Sequence, residues 1–563
     1  MATGDEVLRC AQDDNSVPIW HLLLAFALSL AVLCGLIAWL HNVHIITANG
    51  MYKSIQAEPW IADPASARLD PSNYLYFPLY GALCRLLDWL GIDRGVPWRQ
   101  FAWLNAFFAS IATTIVYAFV HRLTASRRAA ALAACFHLGC GFVLLLSVIS
   151  EDIMPGYTLV LGAMALAALW FDRPTHARVA LVGGLFTLGW LMEWRLLFPL
   201  LPALVLALAC APQRPLRRLA MIGTLLASIV VVAGLVQLWS ERYPGAVGLH
   251  DILWTGKGVT SGWAGLSWDK AWMMLSGVGN YFLIVGGWVD PLSAKRTAAS
   301  LIVSVGLQAA ILIAVVAALW PRRAEPRLRA IATPRLRAIA IVFLGALGAG
   351  QVLNLYAQPQ DPQMQLNVMP WLAVAWALLL GALLPRSRGV AVALAIASLL
   401  PFVWNVGQLA RFRGGDEAAL KAMATLEQRF PPASTVWVYW GFEPITMWQY
   451  ALWSRTWDWD GKPSDAKFKW IAVDAGAIRH PDWTANMNAE VLKRDIDQAL
   501  DRGYRVVISD VWTWSLAELA GQLGALSAAD RAPAIYRMLH DGYEARPALS
   551  DPMAGEFYEL RRR

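Results

Sequence analysis

Two adjacent carboxylates, Glu151 and Asp152, interrupt an otherwise apolar part of the chain, in Ser150-Glu-Asp-Ile-Met-Pro-Gly-Tyr157. Charge beside hydrocarbon is costly, so the pair asks for a reason. A carboxylate there can act as a general base toward a hydroxyl, or anchor a divalent metal ion or a sugar hydroxyl. A plainer role is also open: acids just before a helix complement its dipole, and Pro155 suits a first helical turn. Glu58, Asp63, Arg68 and Asp70 cluster in an earlier polar segment. Another apolar run ends in Glu193-Trp194-Arg195, where the arginine can hold a phosphate bidentately or pair with Glu193. Lys257 and Lys270 supply further cations, and Gln363 sits in a polar stretch, 358–365. Trp457-Asp-Trp-Asp460 alternates indoles with acids, a composition that suits a polyol.

The elements that position these residues are mostly membrane spans. The chain has 563 residues, 57% hydrophobic and only 15% charged, against ~45–50% and ~25% in soluble chains. Apolar runs of spanning length occur at 18–40, 101–120, 129–149, 154–171, 179–192, 196–211, 219–239, 298–320, 338–356, 369–384 and 389–409. The hydropathy criterion therefore predicts about eleven transmembrane helices. The residues before position 18 lack a basic region and a cleavage site, so the first run is expected to be retained. The loops 121–128, 173–178, 214–218, 322–337 and 386–388 are all basic and fall on one side of the alternating spans. The positive-inside rule makes that side cytoplasmic. The N-terminus is then inside, and Glu151–Asp152 and Arg195 share the outer surface.

Two outer loops, 42–100 and 240–297, exceed ordinary hairpin length. In the first, the apolar residues of 75–90 recur at helical spacing, predicting an amphipathic helix lying at the interface. After Gly414-Gly415 the composition becomes charged, with short apolar runs at 435–440, 470–473, 505–509 and 557–560 and helical patterns at 489–502 and 514–523. Residues 1–410 thus read as a transmembrane domain and 411–563 as a soluble α/β domain on the outer side. No zinc spacing, nucleotide-binding loop or nucleic-acid signature is present. The repeat Pro-Arg-Leu-Arg-Ala-Ile-Ala at 326–332 and 334–340 reads as a duplication in a topology-setting basic loop.

The motif Ser150–Tyr157, leading into an Ala/Leu-rich helix, resembles the second outer loop of the GT-C class of integral-membrane glycosyltransferases. That class includes protein O-mannosyltransferases and aminoarabinose lipid A transferases. Tyr74-Leu-Tyr-Phe-Pro-Leu-Tyr80 resembles the Pro-Pro-Leu-Tyr segment of the class, and Gly183-Gly-Leu-Phe-Thr-Leu-Gly-Trp190, with Arg195 and Pro199, its glycine-rich span and following basic residue. The likeness covers about residues 18–211. It implies an inverting transferase that moves a sugar from a polyprenyl-phosphate donor to an acceptor hydroxyl, at the periplasmic face of a bacterial-type inner membrane. Glu151, Asp152, Asp63 and Asp70 would be the catalytic acids. Arg195, Arg68, Tyr74, Tyr80, Lys257, Lys270, Trp194 and Gln363 would bind substrate. Any divalent metal ion would rest on Asp152 and Glu151. The sequence departs from the class after the first span, where Asn49 stands in place of an acid. Two other readings are a carrier for lipid-linked sugars and a catalytically silent relative that acts as a binding subunit.

Overall fold

The computed structural model describes residues 17–42, 49–65, 67, 69–70, 73–91, 97–171, 173–193, 197–243, 388–441, 469–480, 482–525 and 528–563, with Leu283, Val352 and Trp376. The chain divides into two compact units, one of Met1–Leu40, Trp60–Trp254 and Gly265–Arg411, the other of His41–Pro59, Thr255–Ala264 and Phe412–Arg563.

The helices up to the first unit's end run α1 (Ile19–Leu40), α2 (Asn49–Ala62), α3 (Tyr76–Trp89), α4 (Pro97–Thr124), α5 (Arg127–Gly139), α6 (Gly141–Val148), α7 (Met154–Leu169), α8 (His176–Met192), α9 (Leu197–Cys210), α10 (Pro215–Ser240) and α11 (Arg388–Leu409). Among the described residues, four helices are long and apolar enough to cross a membrane: Ile19–Leu40, Arg99–Thr124, Pro215–Ser240 and Arg388–Arg429. Helices α7, α8 and α9 are apolar but shorter. The chain is thus a polytopic helical protein of the membrane type, and the expected runs at 298–320, 338–356 and 369–384 lie outside the described residues.

Helix α7 is apolar all round and buried along most of its length, which suits a central position. It packs on α8 and α4, while α8 also packs on α10. Helix α1, at the edge, exposes Ile19, Leu23, Leu24 and Leu28, a surface suited to hydrocarbon and not to water.

One expected span takes a different form. The run 129–149 is not a single helix: α5 and α6 meet at a 67° bend. The bend falls at Gly139-Cys140-Gly141. A Cβ on Gly139 would stand 2.8 Å from the backbone nitrogen of Phe402, so glycine there lets α11 approach closely. Asn405 of α11 donates to the Gly139 carbonyl at 2.8 Å, answering a backbone group that the broken ladder releases.

Expected amphipathic helix 75–90 is present as α3. It buries Tyr76, Phe77, Tyr80, Gly81 and Cys84 and exposes Leu86 and Trp89. Arg85 donates to the Trp60 carbonyl at the end of α2.

The second unit continues as α12 (Gly415–Arg429), β1 (Thr435–Tyr439), β2 (Lys469–Ala472), α13 (Ala475–Arg479), α14 (Ala485–Asp501), β3 (Arg505–Ile508), α15 (Leu516–Ala525), α16 (Ala532–Gly542), β4 (Tyr543–Asp551) and β5 (Gly555–Arg562). The sheet order is β2-β1-β3-β5-β4. The first three strands are parallel, with Trp437 opposite Trp470 and Val507. The β4–β5 hairpin adds to β3 antiparallel. Every residue of β1 is buried, as expected of a central strand covered on both faces. Val436, Val438, Ile496, Ile508, Leu523 and Ile535 form the core on one face. On the other, Trp437 stacks with Tyr439 and meets Phe430 and Phe557 edge-on.

Candidate functional site

The turn carrying Glu151 and Asp152 lies where three parts of the first unit converge. It leads into α7, whose first turn contains Pro155. Helix α8 arrives beside that turn with its C-terminal end. A Cβ on Gly156 would stand 2.8 Å from the Gly189 carbonyl oxygen and 3.2 Å from Glu193 Cβ. Only paired glycines allow this approach of two helix backbones. The crossing sets Glu193 against the start of α7. Glu151, Asp152 and Glu193 are all buried, each no more than 1% exposed.

The segment 73–76 packs on this corner. Asn73 donates its side-chain amide to the Met192 carbonyl at 3.1 Å, and the Leu75 amide donates to the Leu191 carbonyl at 3.0 Å. The Tyr76 hydroxyl donates to the Glu151 carbonyl at 2.9 Å. From the opposite side, the Asn105 amide of α4 donates to the carbonyls of Ile149, at 2.9 Å, and Glu151, at 2.6 Å. The Glu151 carbonyl therefore accepts from two side chains, and the turn is held by its backbone. Burial, then the negative charges of Asp152 and Glu151, push the Tyr76 hydroxyl well above its ordinary range.

Aromatic side chains wall the corner. Tyr80 stacks on Phe101 with centroids 3.5 Å apart. Tyr76 lies 6.4 Å from Tyr80 and 5.7 Å from Phe101. At the C-terminal end of α10, Trp60 packs with Trp239 and Tyr243. A buried polar trio joins α4, α5 and α7: His137 Nδ1 lies 3.3 Å from Thr113 Oγ1, and its Nε2 lies 2.8 Å from Tyr157 Oη.

Of the residues expected from sequence, Glu151, Asp152 and the end of α8 are brought together, with the 73–76 segment above them. Tyr74 is buried; burial pushes its hydroxyl up, against a hydrogen bond with Ser240. Tyr80 is buried, with its hydroxyl 3.4 Å from Gln100 Oε1. Asp63 is exposed and accepts from the Ala65 amide at 3.3 Å. Asp70 is half-buried, and its carbonyl accepts from the Asn73 amide at 3.2 Å. Arg68, Trp194, Arg195, Lys257, Lys270, Gln363 and the 457–460 tract lie outside the described residues, as does the Glu58 side chain.

Sequence reasoning passed over Asn73, Asn105 and the trio Thr113, His137 and Tyr157, and weighed Glu193 only as a partner for Arg195. Their one available signal was polarity inside apolar or aromatic runs, where a side chain without a partner is expensive. Among the described residues no group of three His, Cys, Asp or Glu side chains is arranged to hold a metal ion.

No family model and no curated protein sequence matches the chain. Its fold does match solved structures. The structure of ArnT from Cupriavidus metallidurans bound to undecaprenyl phosphate aligns with a TM-score of 0.51 and 13% identity, over 96% of this chain and 98% of that one. The apo state of the same protein aligns with a TM-score of 0.42 and 14% identity over the same shares. ArnT is a GT-C aminoarabinose lipid A transferase. The resemblance carried by the Ser150–Tyr157 motif thus extends to the architecture, and the chain shares the fold of a GT-C integral-membrane glycosyltransferase.

Proposed function

We propose that the protein is a membrane glycosyltransferase that moves a sugar from a polyprenyl-phosphate donor to an acceptor hydroxyl, at the face of the membrane opposite its basic loops. The observation that carries this reading is the corner itself: three buried carboxylates where α7 and α8 meet, in a fold shared with a protein crystallised on undecaprenyl phosphate. Burying acids beside aromatic rings has a desolvation cost that packing alone does not repay.

In the proposed reaction the Asp152 carboxylate accepts the proton of the acceptor hydroxyl. The acceptor oxygen forms its bond to the anomeric carbon as the bond from that carbon to the phosphate oxygen breaks. The polyprenyl phosphate leaves with the electron pair, and the configuration inverts. Glu151 sustains the negative field of the corner. Arg195 is assigned to the phosphate, where a guanidinium fork matches growing charge on the leaving oxygens. Arg68, Lys257 and Lys270 are further candidates for that role. Tyr74, Tyr80, Trp194 and Gln363 are assigned to the donor, and Asp63 and Asp70 to the acceptor side. Residues 411–563 are assigned to the outer side as a separate domain. Because Asp152 is fully buried, the acceptor gains access only when the 73–76 segment lifts from Leu191, Met192 and Glu151. The likeness to a transferase does not favour the carrier reading.

Asp152→Asn tests the assignment. It keeps shape and burial but removes the base, so transfer from a polyprenyl-phosphate sugar should fall by at least ~10²-fold. Membrane insertion and thermal stability should stay close to those of the parent. Undiminished transfer in a correctly inserted Asp152→Asn protein refutes the assignment.

A further inference from the structure

At the far end of α7 and α8 from the carboxylates lies a second feature that the proposed reaction does not use. Helix α7 spans sixteen residues, so this end is about 24 Å from the corner. A small apolar cleft opens there between α7, α8, α9 and α10. Its walls are apolar, including Val179, Val182, Leu204, Ala207 and Leu225, and its rim carries Trp170, Pro174 and Arg178. The Arg178 guanidinium lies 5.3 Å from the centre of the Trp170 ring and donates to the Arg173 carbonyl at 3.0 Å.

The cleft has a built floor and frame. A Cβ on Gly183 would stand 3.1 Å from the Leu225 carbonyl oxygen, so the backbones of α8 and α10 close it off inward. His176 Nδ1 lies 2.7 Å from Thr224 Oγ1, bracing the mouth.

The charge at the mouth is one-sided. The two connections that flank it, 171–178 and 211–218, hold five arginines, Arg173, Arg178, Arg214, Arg217 and Arg218, and one acid, Asp172. Arg218 stands apart from the others. It falls on the same face of α10 as Met221 and Leu225, at i, i+3 and i+7. Leu225 lines the cleft. The Arg218 Nε is buried and has no hydrogen-bond acceptor among the described residues. A buried, unanswered guanidinium donor on the cleft side of a helix calls for an anion.

We propose that this cleft binds one anionic glycerophospholipid of the basic-side leaflet, with its phosphate on Arg178 and Arg218 and the upper part of an acyl chain between α8, α9 and α10. An apolar cleft between helices, with arginines and an indole at its mouth, matches the two halves of such a lipid. A soluble phosphate would leave the cleft empty; a zwitterionic lipid would leave the arginines opposed by its own cation.

The test uses the full chain in phosphatidylcholine nanodiscs titrated with dioleoyl phosphatidylglycerol, read by native mass spectrometry and thermal unfolding. Phosphatidylglycerol should be retained and should raise the melting temperature, while phosphatidylcholine and glycerol phosphate should not. Arg178→Gln and Arg218→Gln should each weaken retention about fivefold, the share of one basic residue at an anionic surface. Ala207→Phe, which fills the cleft and adds no charge, should abolish retention. Equal retention of phosphatidylcholine overturns the proposal, as does unchanged retention in Arg178→Gln, an exposed position where folding is not at issue. Glycerol phosphate protecting as well as the whole lipid also overturns it.

Discussion

The Glu151 carbonyl receives hydrogen bonds from two side chains on different elements, Tyr76 of α3 and Asn105 of α4. Removing either donor leaves the carbonyl with one. Removing both leaves a buried acceptor with neither, and that costs about 1–3 kcal/mol beyond the individual bonds. Tyr76→Phe deletes one bond and keeps the ring against Tyr80 and Phe101, so it should cost about 1 kcal/mol. Asn105→Leu deletes the bonds to Ile149 and Glu151 with little change in volume and should cost about 2–3 kcal/mol. If the two act on one carbonyl, the double variant loses more than the sum, with a coupling of about 1 kcal/mol or more. The assay is thermal unfolding of the four proteins in one detergent, repeated in nanodiscs, with transfer from a polyprenyl-phosphate sugar measured in parallel. Transfer should track the coupling, because the same carbonyl fixes the turn that aims Asp152. Additivity within about 0.3 kcal/mol, with native levels of transfer in the double variant, would refute the claim that these donors hold the catalytic turn.

Three further outcomes follow from geometry. Gly189→Ala places a methyl group 2.5 Å from Val160 Cγ2 and 2.9 Å from the Gly156 carbonyl, so it should destabilise by about 1–3 kcal/mol. Gly184→Ala, whose nearest neighbour would be Val232 Cγ2 at 3.8 Å, should leave the melting temperature almost unchanged. Asn405→Leu removes the donor to Gly139 at the α5–α6 bend and should cost about 1–2 kcal/mol, with hydrogen exchange accelerating first at residues 139–148. In the second unit, burial disfavours charge on Asp497, but hydrogen bonds from Lys493, Arg562 and Tyr543 outweigh it and hold the carboxyl below its ordinary range. A lowered value means the stabilisation is present above the unfolded carboxylate value of about 4 and is lost as pH falls through the folded one. Denaturant titrations across that window should show a loss of about 1 kcal/mol or less, given partial exposure, and Asp497→Asn should flatten it.

How much of this was legible in advance depends on where each interaction partner lies. Runs such as 18–40 and 219–239 announce helices by length and apolarity alone, and α1 and α10 follow them closely. Helix α3 was legible because one face of 75–90 is apolar at helical spacing. The strands at 435–440, 470–473 and 505–509 were legible as short β-branched and aromatic runs. Strand β4 was missed because Tyr543-Glu-Ala-Arg-Pro-Ala-Leu-Ser-Asp551 is an edge strand with polar residues and a proline. The α5–α6 bend was illegible because no proline marks it, and the residues that stabilise it, Phe402 and Asn405, lie far along the chain. The corner at Glu151–Asp152 was legible from the cost of charge near lipid. The hold of Asn105 on that corner was not, because its partners are backbone carbonyls that any sequence would supply.

The bend between α5 and α6 also bears on the order in which the chain can be assembled. Helix α6 has eight residues, all buried, too few to cross a bilayer alone. The carbonyl of Gly139, at the end of α5, is answered by a side chain 266 residues downstream. During synthesis the elbow must therefore wait, incompletely hydrogen-bonded, until α11 has emerged and docked. A nascent chain halted before Asn405 should remain a substrate for membrane quality control, however well its earlier helices have inserted.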